Sequence, residues 1–417
     1  MPLFLHVLSL AVFAQGTSEF MLAGLVPGIA DDLGVSTGAA ASLTSAYAVG
    51  MIVGAPVMAT LGARWPRRRA LAGFLAAFVV VHVVGALTAD FVVLFGTRVV
   101  AAVANAGFLA VAMSVAHTLV TPERQARATA TLLSGVTLAC VVGVPAGAAL
   151  GELAGWRAAF WAVAVLCLPA LVLVFRWAPA DAASTSTSAS TPASASASTP
   201  TPTSASASAS AAPSAPSVDS TGVRTGVRSE LRVLRLPSVR LALTLGALVN
   251  GATFATFAYL AVVATEVTGL SEATVPGLLA AFGVGSFAGV TVAGRTGDGR
   301  LGRGLRRALL ALPAAWAVLA LTSTEATVLF PATVLLGALS FGVGSTLVNR
   351  VMRTAADAPT LAGSFATVAL NVGAFAGPLC AGVAAGAGHD PRFAVWVSAA
   401  MAATAALVLL AGRSRRD

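Results

Sequence analysis

Apolar residues do not alternate along this 417-residue chain. They come in long unbroken runs, separated by short segments of Arg, Gly, Pro and acidic residues. A bilayer core takes about 20 apolar residues per helix. Twelve runs approach or pass that length, at 4–29, 39–62, 70–89, 91–119, 128–150, 158–177, 241–265, 273–294, 308–323, 326–348, 359–386 and 393–412. The ninth is the shortest and the eleventh is among the longest. Alternating ten-residue strands are missing, which argues against a barrel. In lipid the backbone must then satisfy itself within helices. The pattern predicts an all-α membrane protein with twelve transmembrane helices.

Composition supports this. The chain is 57% hydrophobic and 10% charged, against about 45–50% apolar and about 25% charged in soluble domains. Its three cysteines, Cys140, Cys167 and Cys380, all lie in apolar runs, which argues against a disulfide scaffold or a thiolate metal site. All 25 basic residues are Arg, and the net charge is +9. One alternate set of loops holds almost all of them: Arg64 and Arg67–Arg69, Arg124 and Arg127, Arg224–Arg240, Arg295–Arg307, Arg350 and Arg353, and the tail. The other set holds Arg157 and Arg392 among acids such as Asp31, Asp32, Asp90, Glu152 and Glu272. Arginine excess marks the cytoplasmic side, so both termini are expected there. Topology and lipid headgroups account for the charge without nucleic acid. The first run has no basic n-region and is too long for an h-region, so no cleavable signal is expected.

Between 178 and 222 the sequence collapses to Ser, Thr, Ala and Pro, a composition that reads as a disordered cytoplasmic linker. A passive tether is the simpler role for it, a regulatory segment the other. The linker separates residues 1–177 from 223–417, six spans each. The halves repeat: an Arg loop follows spans two and eight, and Gly143-Val144-Pro145-Ala146-Gly147 in span five answers Gly373–Pro378 in span eleven. Repeated six-helix bundles imply a substrate site near the midplane between them.

Ionisable residues inside a span are functional candidates by default. Glu19 falls near the middle of span one and Arg98 inside span four. Counted from Asp31 and Asp90, both sit roughly 12–18 Å below the acid-bearing surface. Burial disfavours a charged carboxylate and a neighbouring guanidinium favours it, so Glu19 is the candidate proton carrier with Arg98 beside it. The competing reading is a static Glu–Arg pair that fixes helix packing. Asn105 lies seven residues after Arg98, on the same helix face. Asn250 and Asn371 lie in other apolar runs. Each Asn either hydrogen-bonds a polar substrate or bridges helices. Tyr47, Phe108, Phe254, Phe257 and Tyr259 either line a cavity or face lipid and neighbours. His82 reads as a hydrogen-bonded packing residue, with a proton role as the alternative. Asp31 and Asp32 read as solvated loop acids.

Small-xxx-small spacings such as Gly50/Gly54 and Gly143/Gly147 let helices approach closely, and Pro145 removes a backbone donor from span five. No phosphate loop, HExxH or GxSxG pattern is present, so the chain is not expected to be an enzyme or an ATPase. Transport is then passive or driven by an ion gradient, with no cofactor.

Twelve spans in two halves with an Arg loop after span two resemble the major facilitator superfamily. Leu94-Phe95-Gly96-Thr97-Arg98 is similar to that family's span-four basic motif, associated with proton coupling. Gly143-Val144-Pro145-Ala146-Gly147 resembles its span-five antiporter motif. The resemblance makes Arg67, Arg68, Arg69, Gly143, Pro145, Gly147, Arg295 and Asp298 the conformational motif residues. The acid usual in the first Arg loop is replaced by Ala63, while the second copy keeps Asp298. The stretches Gly16–Leu25, Asn105–Ala112, Gly155–Arg157, Leu339–Leu347 and Ala369–Gly373 resemble the chloramphenicol-efflux proteins of actinobacteria. The resemblance implies a monomeric plasma-membrane exporter that exchanges chloramphenicol, or a related amphipathic drug, for protons. An exporter of an endogenous sugar, nucleoside or other metabolite is the alternative. A membrane sensor is the remote one, and the low-complexity linker argues against it.

Overall fold

The computed structural model describes residues 3–61, 65–121, 124–177, 231–295, 298–355, 362–385 and 390–414. The segment at 178–222 lies outside the described residues. Among the described residues twelve helices are long and apolar enough to cross a membrane. Those of the first half are α1 (Leu3–Gly24), α2 (Thr37–Met58), α3 (Arg67–Leu87), α4 (Phe91–Ala116), α5 (Arg127–Ala154) and α6 (Trp156–Arg176). Those of the second are α7 (Pro237–Phe257), α8 (Glu272–Arg295), α9 (Gly304–Thr322), α10 (Ala326–Thr354), α11 (Ala362–Ala385) and α12 (Arg392–Ala411). No strand occurs among the described residues.

Several helices outrun their apolar stretches. The helix carrying α9 begins at Asp298, so the short ninth run is the apolar part of a longer helix with a polar first third. Arg67–Arg69 form the first turn of α3 rather than a loop. The seventh run breaks after Phe257 and resumes as Leu260–Val262 and a π-helical turn, Val263–Val267.

The halves repeat in packing as well as in sequence. Helices α2 and α4 pack as α8 and α10 do, and α1 and α5 as α7 and α11 do. Glycines set the closest approaches. A Cβ on Gly50 would stand 2.3 Å from Val99 O, and one on Gly285 2.0 Å from Val334 O. Both partners of the second contact are shifted by 235 positions from the first. At such distances the helix backbones touch directly, which only Gly permits.

Contacts between the halves gather at the acid-bearing end. Helix α2 runs against α11, with Ser45 Oγ donating to Phe375 O at 2.9 Å and Gly38 close to Gly382. Helix α8 meets α5 through its half from Ala139 onward, where Gly283 fits against Cys140 O. The halves are therefore closed at that end. A clamp within the first half also lies there. Gly155, at φ +79°, turns the chain sharply between α5 and α6, and Arg157 next to it ion-pairs with Asp32. Trp156 Nε1 donates to the same carboxylate at 3.1 Å, and Arg157 also donates to Thr88 O at 3.1 Å. These bonds hold the Asp32 carboxyl below the usual carboxylate range, Arg157 contributing most. Asp32 is thus a paired residue, not the free solvated acid expected of a loop.

Candidate functional site

The polar residues of the first half meet around one turn of α1. Ser18 is its centre. Arg98, 1% exposed, donates through Nη1 to Ser18 Oγ at 2.8 Å and through Nη2 to Ser18 O at 2.7 Å. Ser18 Oγ also lies 2.6 Å from His82 Nε2, and His82 Nδ1 lies 2.7 Å from Phe78 O. A carbonyl only accepts, so Nδ1 carries the hydrogen. The neutral ring then accepts the Ser18 hydroxyl proton at Nε2. One chain of bonds results: Arg98 to Ser18, Ser18 to His82, His82 to the α3 backbone. The guanidinium also lies over the Tyr47 ring at 4.8 Å and the Phe160 ring at 5.8 Å, contacts that favour a desolvated cation.

Glu19 stands beside this network without entering it. It is half-buried, and Arg98 is the charge that acts on it. No ion pair joins them, because the guanidinium is turned onto Ser18. Among the described residues the Glu19 carboxylate takes no hydrogen bond. A static Glu–Arg pair is not the geometry found. Arg98 is anchored on Ser18 and not on the Glu19 carboxyl.

Tyr47 extends the cluster: Asn105 Nδ2 donates to its hydroxyl at 2.8 Å. Phe108 is fully buried. Asn250 and Asn371 lie apart from this group. Asn250 Nδ2 donates to Leu370 O at 2.7 Å and so ties α7 to α11, while Asn371 donates to Thr367 O in its own helix at 2.9 Å.

An aromatic cavity lies between the halves, next to Glu19 in sequence. Phe20, Cys140 and Val144 line it from the first half, and Thr253, Phe254, Phe257, Phe282 and Phe341 from the second. Its volume is about 10 Å³, room for about one water. The rings fill it: Phe257 and Phe282 have centroids 4.8 Å apart, and Phe20 and Phe254 5.9 Å apart. Of the aromatic residues singled out in the sequence, Phe254 and Phe257 reach this cavity. Phe20, Phe282 and Phe341 also line it and were not singled out as cavity residues, since a Phe in an apolar run looks the same toward lipid or core.

The span-five motif shapes this region. Val144 N–H reaches back five residues to Ala139 O, forming a π-helical turn, Ala139–Gly143, just before Pro145. Pro145 has no N–H for the regular ladder, and π-turns of this kind cluster at functional sites. Gly143 and Gly147 bring α5 onto α1 on either side of Glu19: a Cβ on Gly143 would lie 2.0 Å from Thr17 Oγ1, one on Gly147 3.0 Å from Met21 Cβ. The arginines of the first Arg loop bond inside their own half, Arg67 to Thr118 Oγ1 at 3.0 Å and Arg68 to Phe175 O. Arg69 and Arg295 are exposed. Asp298 opens its helix, and its side chain lies outside the description.

The family model of the major facilitator superfamily matches residues 8–363. The chain belongs to this superfamily. The transporter is 48% identical to a chloramphenicol resistance protein of Streptomyces lividans, over 98% of this chain and 95% of the relative. It is 32% identical to the inner membrane transport protein YdhP of Escherichia coli (strain K12), over 99% and 96%. Among solved structures it shares its fold with a bacterial homologue of the human lysosomal transporter Spinster, in an inward-facing and occupied conformation. That match has a TM-score of 0.69 at 16% identity, covering 98% of this chain and 96% of that one. The transporter is a multi-pass membrane protein with twelve membrane-spanning helices among the described residues.

Proposed function

We propose that this transporter exports an amphipathic drug of the phenicol type from the cell in exchange for protons, by alternating access. The observation that carries the reading is Glu19. It is an intramembrane carboxyl with no bonded partner, beside an anchored Arg98 and next in sequence to Phe20 of the aromatic cavity. The 48% identity to a chloramphenicol resistance protein supplies the substrate class.

The cycle follows from differential binding. The arginine-bearing face is cytoplasmic, with both termini and the 178–222 tether on that side. The closed acid-bearing end then makes this state shut to the outside. Phe20, Phe254, Phe257, Phe282 and Phe341 part as the halves rock, and the cavity between them takes the drug's apolar body. When the site faces out, Glu19 takes a proton and the drug leaves. When it faces in, Glu19 releases the proton and drug binds. The proton drives export only if drug affinity differs between the two charge states of Glu19. Proton entry through a 100 mV potential supplies about 2.3 kcal/mol per charge. The π-turn at Ala139–Gly143 and the glycines of α5 form the surface on which α1 and α8 shift.

The test is accumulation of radiolabelled chloramphenicol in a susceptible host expressing the full chain, with and without a protonophore. Low accumulation that rises when the gradient collapses supports the reading. Accumulation equal to the empty vector, with the protein present in the membrane, refutes the phenicol assignment and moves the search to sugars, nucleosides and other metabolites.

A further inference from the structure

One turn before Glu19, α1 carries a residue that the exchange cycle above does not use. Gln15 is 0% exposed, and neither its Oε1 nor its Nε2 has a hydrogen-bond partner. An amide brings two N–H donors and two acceptor lone pairs, and burying it unpaired in an apolar surrounding is costly. Both atoms are unpaired, so either orientation of the amide leaves the same donors and acceptors unmet.

Helical spacing places Gln15 on one face with Ser18, three residues on, and Glu19, four residues on. Ser18 is the residue that holds Arg98. Two more unpaired groups sit around the same turn. Arg98 Nε is a buried donor without an acceptor, and the Glu19 carboxylate is an acceptor without a donor. The orphans are complementary, with N–H groups on Arg98 and Gln15 and acceptor oxygens on Gln15 and Glu19. A buried water makes about three such bonds and recurs where polar groups would otherwise go unsatisfied.

We propose that Gln15 is the positioning residue of a buried water site, of one or two waters, that bridges its amide to Arg98 Nε and to Glu19 inside the first half. Gln15 does not line the aromatic cavity, so the water and the drug occupy different places. The proton then reaches Glu19 without crossing the drug's site. The inference rests on the reading of Glu19 as the proton carrier. The other charged or titratable groups facing Glu19 are Arg98 from α4, Tyr47 from α2 and Cys140 from α5. His82 of α3 is joined to them through Ser18.

Infrared difference spectroscopy of the purified full chain in lipid, between acidic and alkaline pH, tests the site. Glu19→Gln assigns the protonated-carboxyl band. In Gln15→Met, which keeps the volume and removes the amide, that band moves to higher frequency as it loses its hydrogen bond. Gln15→Asn restores part of the shift. In the wild-type chain, water O–H bands that respond to Glu19 protonation move in ¹⁸O-labelled water. This last reading needs no variant to fold. An unmoved band in folded Gln15→Met, or no isotope-sensitive water band in the wild type, overturns the water site and leaves Glu19 as carrier. A Glu19→Gln spectrum that loses no band removes the carrier itself, and the water site with it.

Discussion

Replacing Ser18 by Ala removes one hydroxyl and breaks two bonds at once. Arg98 Nη1 loses an acceptor at 2.8 Å, and His82 Nε2 loses its partner at 2.6 Å. The bond from Arg98 Nη2 to Ser18 O survives, since it uses the backbone. The two lost bonds differ in kind. A hydrogen bond to a charged group is worth about 1.5–3 kcal/mol, while neutral side-chain bonds inside membrane proteins average about 0.6 kcal/mol. Their sum puts Ser18→Ala at about 2–3.5 kcal/mol of destabilisation, most of it from the guanidinium. Equilibrium unfolding of the purified chain in mixed micelles measures this. A cycle with His82→Leu separates the terms: if Ser18 links the two residues, His82→Leu costs less in the Ser18→Ala background. A loss below about 0.5 kcal/mol, on the scale of an unremarkable surface change, or equal His82→Leu costs in both backgrounds, refutes the network as the anchor of Arg98.

Two further outcomes are expected. Gly285→Ala puts a Cβ about 2.0 Å from Val334 O, so α8 and α10 must separate. The cost is about 1–3 kcal/mol, whereas Gly73→Ala meets nothing within 4 Å and leaves thermal stability unchanged or raised; equal effects contradict the packing. The Asp32 carboxyl is held low by Arg157 and Trp156, so the clamp's stability is fully present above about pH 4, the unfolded carboxylate value. It is lost as pH falls through the lower folded value. Asp32→Asn flattens that acid limb in a melting-temperature series and, for so exposed a pair, costs at most about 1 kcal/mol near neutral pH.

The twelve spans were legible because length and polarity decide whether a segment crosses lipid. Helix ends were less so. The ninth helix extends back to Asp298 because an Arg-rich turn is stable in helix once it leaves the bilayer core. Glu19 and Arg98 stood out because charge is rare in a span. Ser18, which holds Arg98, and Gln15, buried with its amide unpaired, did not, because a hydroxyl or amide in an apolar run carries no sign of which neighbour it meets. The cavity aromatics Phe20, Phe282 and Phe341 escaped for a related reason. These spans are apolar all round, so helical periodicity does not separate the face toward the other half from the face toward lipid. Asn250 illustrates the converse: its polarity was visible, but only the structure shows it spent on Leu370 O.

The proposed cycle turns on Glu19 coupling drug movement to the proton. It is tested most directly in proteoliposomes of the purified chain, with labelled chloramphenicol inside or outside, under an imposed pH gradient. Wild type is expected to move drug up its own concentration gradient toward the acidic side, and Glu19→Gln to bind drug but gain nothing from the pH gradient. A Glu19→Gln carrier that remains fully driven by the pH gradient would contradict it.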